Sequence, residues 1–275
     1  MAKHLPLAGG HVTGFGATHR TDNWKTGPAL TLFGLLAFII YTTWALFQAE
    51  HYYAEPYLSP FYSPVLFTHT AAAGAAPVEH AWFGTWPSWW PSFLPPSPAI
   101  LILVFPAAFR FTCYYYRKSY YRAFVGSPPG CAVAPLAAER PYRGETALLI
   151  FQNLHRYALY MALVYIVILY YDGFIAFSRN GELGVGVGTI VLLINATLIA
   201  CYTFGCHSFR HLVGGHDDCM SCGHNTLKYG AWTKASWFNA RHMQFAWASL
   251  VWVMLTDAYV RLVSMGIITD LNTWN

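Results

Sequence analysis

Long apolar runs separated by polar stretches dominate the hydrophobic pattern of this chain. Five of them approach or exceed the roughly 20 apolar residues that a helix needs to cross a bilayer. They cover residues 27–47, 100–116, 147–177, 185–209 and 232–266. The second run is the weakest, because Pro106 and Arg110 are costly against lipid and tolerable only against protein. The pattern predicts an all-α membrane protein with five transmembrane helices in a bundle.

Composition agrees with a membrane protein. Of the 275 residues, 56% are hydrophobic and only 10% are charged, whereas soluble domains carry about 25% charged residues. The formal net charge is +4, but no basic patch of the kind that binds nucleic acid is present. The first apolar run is too long for a signal peptide and follows a polar tail. We therefore expect a tail, 1–26, and one membrane domain, 27–266.

Basic residues set the predicted orientation. The outer loop, 48–99, has no Lys or Arg, whereas the loop 117–143 carries Arg117, Lys118, Arg122, Arg140 and Arg143. By the positive-inside rule, the basic loop is cytoplasmic and the other is outside. The N-terminus is then cytoplasmic, a Cys/His loop at 206–231 is also cytoplasmic, and the tail 267–275 is outside. The Trp- and Pro-rich outer loop is typical of an irregular segment at the membrane interface.

Six cysteines offer metal ligands: Cys113, Cys131, Cys201, Cys206, Cys219 and Cys222. All but Cys201 fall at or beyond the predicted cytoplasmic ends of their segments, where disulfides are rare, so metal ligation or free thiols are favoured. The spacing of Cys219, Cys222 and His224 is typical of a zinc site, with His216 as a fourth ligand. The alternative is that the run 216–224 docks on a partner subunit.

Four further residues, each from a different predicted helix, form a second candidate set. They are Cys113, His155, Cys206 and His242. Two Cys and two His projecting into a bundle interior match the ligand set of a Rieske-type [2Fe–2S] cluster. Helix counting places the four at unequal depths, so the third and fifth helices must begin above the membrane surface for the set to meet.

Alternatives to this set stay open. His207 and His211 are four residues apart and share a helix face, so either could replace a histidine ligand or donate protons to a quinone. Cys219 and Cys222 could likewise replace the helix cysteines. Three arginines lie beside histidines, and they could bind a quinone carbonyl, a haem propionate or a partner's carboxylate. These are Arg156, Arg210 and Arg241.

Four stretches in order carry a family resemblance: "TCYYYRKSYYRAFVGSPPGCAV", "LIFQNLHRYALY", "CHSFRHLVGG" and "NARHMQFAWASL". Together they resemble the membrane-anchor subunit of actinobacterial succinate dehydrogenase, the respiratory complex II of mycobacterial type. The resemblance implies a complex in the cell membrane, with a flavoprotein subunit and an iron–sulfur subunit on the cytoplasmic face. It also implies electron transfer to menaquinone through a membrane-embedded Rieske-type cluster.

The resemblance also raises two questions, which residues bind the quinone and whether haem b is the cofactor. A quinone ring needs hydrogen-bond donors at an apolar pocket, and the candidates are Arg210, His211, Trp232 and Arg241. Familiar five-helix anchors hold two b haems through four histidines, but the first two predicted helices here contain none. A single haem b between His155 and His242 is therefore the alternative cofactor. A transporter or a redox-inactive scaffold is the alternative function, although no repeated halves are visible.

Overall fold

A computed structural model describes residues 14–69, 71–136, 146–215, 219 and 226–274. The described chain is mostly helical. In chain order its α-helices are α1 Thr26–Gln48, α2 Pro98–Ile102, α3 Val104–Thr112, α4 Tyr114–Tyr120, α5 Thr146–Ile175, α6 Val187–Phe204, α7 His207–Gly214, α8 Thr226–Ala240 and α9 His242–Ser264. A 3₁₀ turn, Val78–His80, and a π-helical turn, Tyr121–Val125, complete the helical elements among these residues.

Four of the five predicted spans contain a helix long and apolar enough to cross a membrane. These four stretches are Thr26–Gln48, Asn153–Ile175, Val187–Phe204 and His242–Ser264. The first and third predicted spans correspond closely to α1 and α5. The fourth and fifth are shorter than predicted, because each is interrupted at its predicted cytoplasmic end. The orientation of the termini stays a prediction.

The second predicted span is not one continuous helix. It is divided into α2, α3 and α4, none of which is long enough to cross a membrane alone. Proline has no N–H, and its ring clashes with the carbonyl four residues earlier, so Pro106 cannot continue a helix through Ile102. Accordingly α2 ends at Ile102. A second break follows at Cys113, whose backbone is extended, with ψ of 129°.

The outer loop 48–99 is irregular, as predicted, but it also folds onto the bundle. Its short antiparallel ladder pairs β1 (Tyr53–Ala54) with β2 (Tyr57–Leu58). Several of its side chains pack with Ala45 of α1 and Val253 of α9 in one buried cluster: Tyr52, Phe61, Tyr62 and Val65. A second ladder, β3 (Ser178–Arg179) with β4 (Glu182–Leu183), forms the turn between α5 and α6.

A second buried cluster lies where the broken helices meet. It contains Phe109, Cys113, Tyr116, Tyr202 and Cys206, together with residues of α1, α5 and α9. Non-helical backbone at membrane depth is tolerated only where protein covers it. The breaks at Cys113 and Cys206 lie in this cluster, where protein covers the non-helical backbone.

Candidate metal centre

Three of the four predicted ligands lie at helix interruptions. Cys113 separates α3 from α4, Cys206 immediately precedes α7, and His242 is the first residue of α9. His155 alone lies within a continuous helix, α5. The extended backbone at Cys113 and Cys206, with ψ of 129° and 140°, directs both side chains into the buried cluster. The two cysteines thus lie in one buried cluster, each close to a histidine, although their positions along ideal helices differ.

His155 and Cys206 form the first of two close pairs. His155 Nε2 lies 2.9 Å from Cys206 Sγ, and both residues are buried. On the other side of the imidazole, Nδ1 lies 2.8 Å from Thr112 Oγ1. The ring is stacked on Phe109, with centroids 4.7 Å apart. The backbone N–H of Ser208 donates to Cys206 Sγ at 3.3 Å.

The hydrogen bonds of Thr112 define the tautomer of His155. The Thr112 hydroxyl donates its proton to the carbonyl of Ala108, at 2.7 Å. Its oxygen is then an acceptor for His155, so Nδ1 carries the proton and Nε2 presents a lone pair. That lone pair points toward Cys206 Sγ. A metal-ligating histidine in proteins commonly has this arrangement, with its other ring nitrogen held by a hydrogen bond.

Cys113 and His242 form the second pair. Cys113 Sγ lies 3.5 Å from His242 Nε2. The His242 ring is stacked on Tyr202, with centroids 4.9 Å apart. The Nδ1 of His242 and the hydroxyl of Tyr202 are both buried. The second pair is therefore packed against Tyr202 of α6.

Together the two pairs offer two sulfur and two nitrogen ligands within one buried cluster. Cys113 and Cys206 are 2% and 1% exposed and are not in disulfides. Within the described residues, no group of three or more Cys, His, Asp or Glu is close enough to hold a single metal ion. In composition, two thiolates and two imidazoles match the ligands of a Rieske-type [2Fe–2S] cluster, in which one iron has two Cys and the other has two His.

The alternative histidines lie away from the two pairs. His207 and His211 are exposed on α7, and His211 Nδ1 lies 3.0 Å from Nη2 of Arg156. Cys219 is disulfide-bonded, which differs from the metal ligation or free thiol that the sequence favoured. The other predicted zinc ligands, His216, Cys222 and His224, lie outside the described residues.

The residues predicted to bind the quinone mostly contact one another or neighbouring side chains. The guanidinium of Arg210 lies over the ring of Trp232, at 4.7 Å. Arg241 lies over Trp237 at 4.0 Å and donates to its carbonyl at 3.2 Å. These contacts join α7 to α8 and hold the end of α8. They form a polar surface distinct from the Cys–His pairs.

An apolar groove lies beside the Cys–His pairs. Its volume is about 660 Å³, and residues of α1, α3, α4, α5, α6 and α9 line it. Its wall includes Phe109, Thr112 and Tyr202, which contact the two imidazoles, and the polar side chain of Arg110. None of the four predicted quinone contacts lines this groove. Sequence reasoning missed it, and the only signal was an arginine in an apolar run.

Comparisons with known proteins identify a relative. A family model for the actinobacterial succinate dehydrogenase subunit SdhC matches residues 26–266. Among solved structures, the chain is similar to a chain of the Mycobacterium smegmatis Sdh1 complex in the apo form, with 41% sequence identity and a TM-score of 0.82. The match covers 94% of each of the two chains. None of the curated proteins matches this chain.

Proposed function

Because the chain belongs to the actinobacterial succinate dehydrogenase SdhC family, we propose that it is the electron-relay subunit of the complex, holding a Rieske-type [2Fe–2S] cluster in the membrane. As a family member, it is a multi-pass subunit of an enzyme in the plasma membrane. The transporter alternative is therefore wrong. Succinate is oxidised on a flavoprotein partner, and an iron–sulfur partner on the cytoplasmic face delivers electrons to this subunit.

The observation that carries the proposal is that two buried cysteines of one cluster each lie within 3.5 Å of a histidine, so that two sulfur and two nitrogen donors lie close to one another. Cys113 and Cys206 provide the thiolates, and His155 and His242 provide neutral imidazoles. Thr112 fixes His155 with Nε2 unprotonated, and the stacked rings of Phe109 and Tyr202 fix the planes of the two imidazoles. A cluster bound there supplies one-electron transfer, and histidine ligation raises its potential above that of all-cysteine clusters.

Haem b is the alternative cofactor, and the packing around the histidines disfavours it. Phe109 and Tyr202 are stacked on the two imidazoles and contact each other at 5.4 Å. A porphyrin ligated by His155 and His242 would have to displace both aromatic rings. A cysteine sulfur also lies next to the Nε2 atom of each histidine. A haem with two histidine ligands would leave both cysteines without a role as ligands.

The subunit also contributes to the site where menaquinone is reduced. Arg210, His211, Trp232 and Arg241 remain the candidates for polar contacts and proton delivery near the cytoplasmic face. The groove gives a hydrophobic quinone a place beside the Cys–His pairs, and its volume lies within the range typical of small-molecule sites. We include the groove as the route by which the quinone approaches from the bilayer.

Electron paramagnetic resonance of the purified, dithionite-reduced complex tests the cofactor, with a pyridine haemochrome spectrum recorded in parallel. We expect a Rieske-type signal and no b haem. The signal should disappear in a His155→Ala, His242→Ala double variant and persist in a His207→Ala, His211→Ala double variant, the matched control. A b-haem spectrum without the Rieske-type signal would contradict the proposal. A signal lost only in the control variant would move the ligation to α7.

A further inference from the structure

Arg110 places a positive charge beside the candidate metal centre. Its guanidinium Nη1 donates to the hydroxyl of Tyr116 at 2.7 Å, and its Nη2 donates to Ser249 Oγ at 3.0 Å. The Cζ atom lies 4.7 Å from the centroid of Tyr202, the same ring on which His242 is stacked. Arg110 thus contacts one ring, Tyr202, which in turn contacts His242.

This charge has no described counter-ion. In the part of the chain that the structure describes, ion pairs join Arg20 to Asp22 and Arg261 to Asp257, and neither involves Arg110. Its polar partners are the neutral groups of Tyr116, Ser249 and the Ala246 carbonyl. Ionisable side chains inside a membrane protein are expensive, and they pair with one another or with backbone carbonyls. The described partners of Arg110 are all neutral, so they hold the guanidinium in place without cancelling its charge.

The proposed ligand set supplies such a charge in only one redox state. Two ferric ions, two sulfides and two thiolates sum to zero, so a cluster held by Cys113, Cys206, His155 and His242 is neutral when oxidised. One-electron reduction leaves it with a single negative charge. Net charge is one of the properties that set the potential of such a centre, and a nearby cation in a low-dielectric interior favours the more negative state.

We infer that Arg110 is a positioning residue whose fixed charge raises the reduction potential of the centre held by the two Cys–His pairs. The inference rests on the proposed function and assigns Arg110 a part in it. Tyr116 and Ser249 hold the guanidinium on the Tyr202 face, so the charge stays at a constant distance from His242. The centre would thereby accept electrons from the partner subunit more readily than the same ligands without Arg110.

A redox titration followed by electron paramagnetic resonance of the whole complex tests this role. In Arg110→Gln, we expect the equilibrium constant for one-electron reduction of the Rieske-type centre to fall about tenfold, which is about 59 mV for one electron. Arg110→Lys keeps the charge and should shift the potential much less. Arg156→Gln is the matched control, because it removes an arginine next to His155 that is exposed on the surface of the chain and contacts His211.

A second variant leaves the arginine in place. Ser249→Asp introduces a carboxylate beside Arg110 and should neutralise its charge, so the potential should fall as in Arg110→Gln. This variant decides the outcome if Arg110→Gln does not assemble. An intact signal at the wild-type potential in either variant would overturn the role of Arg110. Absence of a Rieske-type signal from the wild-type complex would instead overturn the proposed function on which the inference rests.

Discussion

At the residue scale, the contacts around His155 show how a neighbouring side chain orients a candidate metal ligand. The Thr112 hydroxyl accepts from Nδ1 and donates to Ala108, so it fixes both the tautomer and the ring. Loss of such a supporting partner typically lowers metal affinity by about 10–100-fold. Thr112 also begins the break before Cys113, so one short segment provides both a ligand and the residue that orients another.

Replacing Thr112 with valine tests whether the hydrogen bond to His155 is needed to retain the cluster when all four candidate ligands are present. In Thr112→Val, all four candidate ligands remain, but Nδ1 of His155 loses its hydrogen bond to the Thr112 hydroxyl. We expect cluster occupancy, measured as acid-labile sulfide per complex, to fall on incubation with an iron chelator at concentrations that leave wild type loaded. Thr256→Val is the matched control, since Thr256 is a buried helical threonine whose hydroxyl bonds only to the carbonyl of Trp252. Equal chelator sensitivity of both variants would contradict the role of Thr112.

The sequence predicted the four candidate ligands but not their surroundings. Two Cys and two His on four apolar segments are conspicuous because such residues are rare in membrane spans. Thr112, Phe109 and Tyr202 are ordinary residues for a membrane helix, and nothing in their spacing separates them from packing residues. Their contacts depend on the extended backbone at Cys113 and Cys206, which periodicity cannot detect.

At the element scale, the interruptions in the helices form the site. The sequence predicted continuous helices at 185–209 and 232–266 because both stretches are predominantly apolar. The break after Phe204 and the break at Arg241 face each other, and Gly205 lies between them. A Cβ atom on Gly205 would lie 2.9 Å from the carbonyl of Phe238 and 3.1 Å from His242 Nδ1. A glycine is therefore required for this close approach.

Gly205→Ala should displace His242 and the end of α8. Overpacking of this kind costs about 1–3 kcal/mol, and we expect a lower Tm together with a weakened or altered Rieske-type signal. Gly230→Ala in α8 is the control, because no described atom lies within 4 Å of the Cβ position there. It should leave the signal unchanged and the Tm equal or higher, since alanine favours helix more than glycine. A wild-type signal in Gly205→Ala would show that the close approach is dispensable.

The groove gives a second test at this scale. Ala107 and Ala108 are adjacent and both exposed on α3, but only Ala107 lines the groove. If the quinone approaches through the groove, Ala107→Trp should raise the KM for menaquinone analogues at least tenfold and leave the Rieske-type signal intact. Ala108→Trp should leave both properties unchanged. Equal KM values in the two variants would exclude the groove as the quinone route.

At the scale of the whole molecule, two of the polar clusters among the described residues contrast with each other. One is the candidate metal centre. The other joins α1, the outer loop and α9: Asp257 forms an ion pair with Arg261 at 2.7 Å and accepts hydrogen bonds from Tyr41 and Ser59. Arg261 in turn donates to the carbonyl of Glu50. Every group in this second cluster has partners within the chain, so we assign it to stability.

Asp257→Asn should therefore destabilise the protein without changing the cofactor. Removing one partner of a buried ion pair leaves an uncompensated charge, at a cost of about 3–5 kcal/mol. We expect a large fall in Tm, with a normal Rieske-type signal in the protein that remains folded. Asp22→Asn breaks an exposed ion pair with Arg20 and should not measurably change the Tm. A shifted signal in Asp257→Asn would indicate that the two clusters are coupled.

The number of irons in the membrane subunit tests the central claim most directly, namely that the two Cys–His pairs bind one binuclear cluster. Iron and acid-labile sulfide should be measured in the purified complex and in a Cys113→Ser, Cys206→Ser double variant, with Cys201→Ser as the control. The account predicts that the double variant loses two irons and two sulfides per complex and that the control loses none. Equal iron and sulfide contents in wild type and the double variant would contradict it.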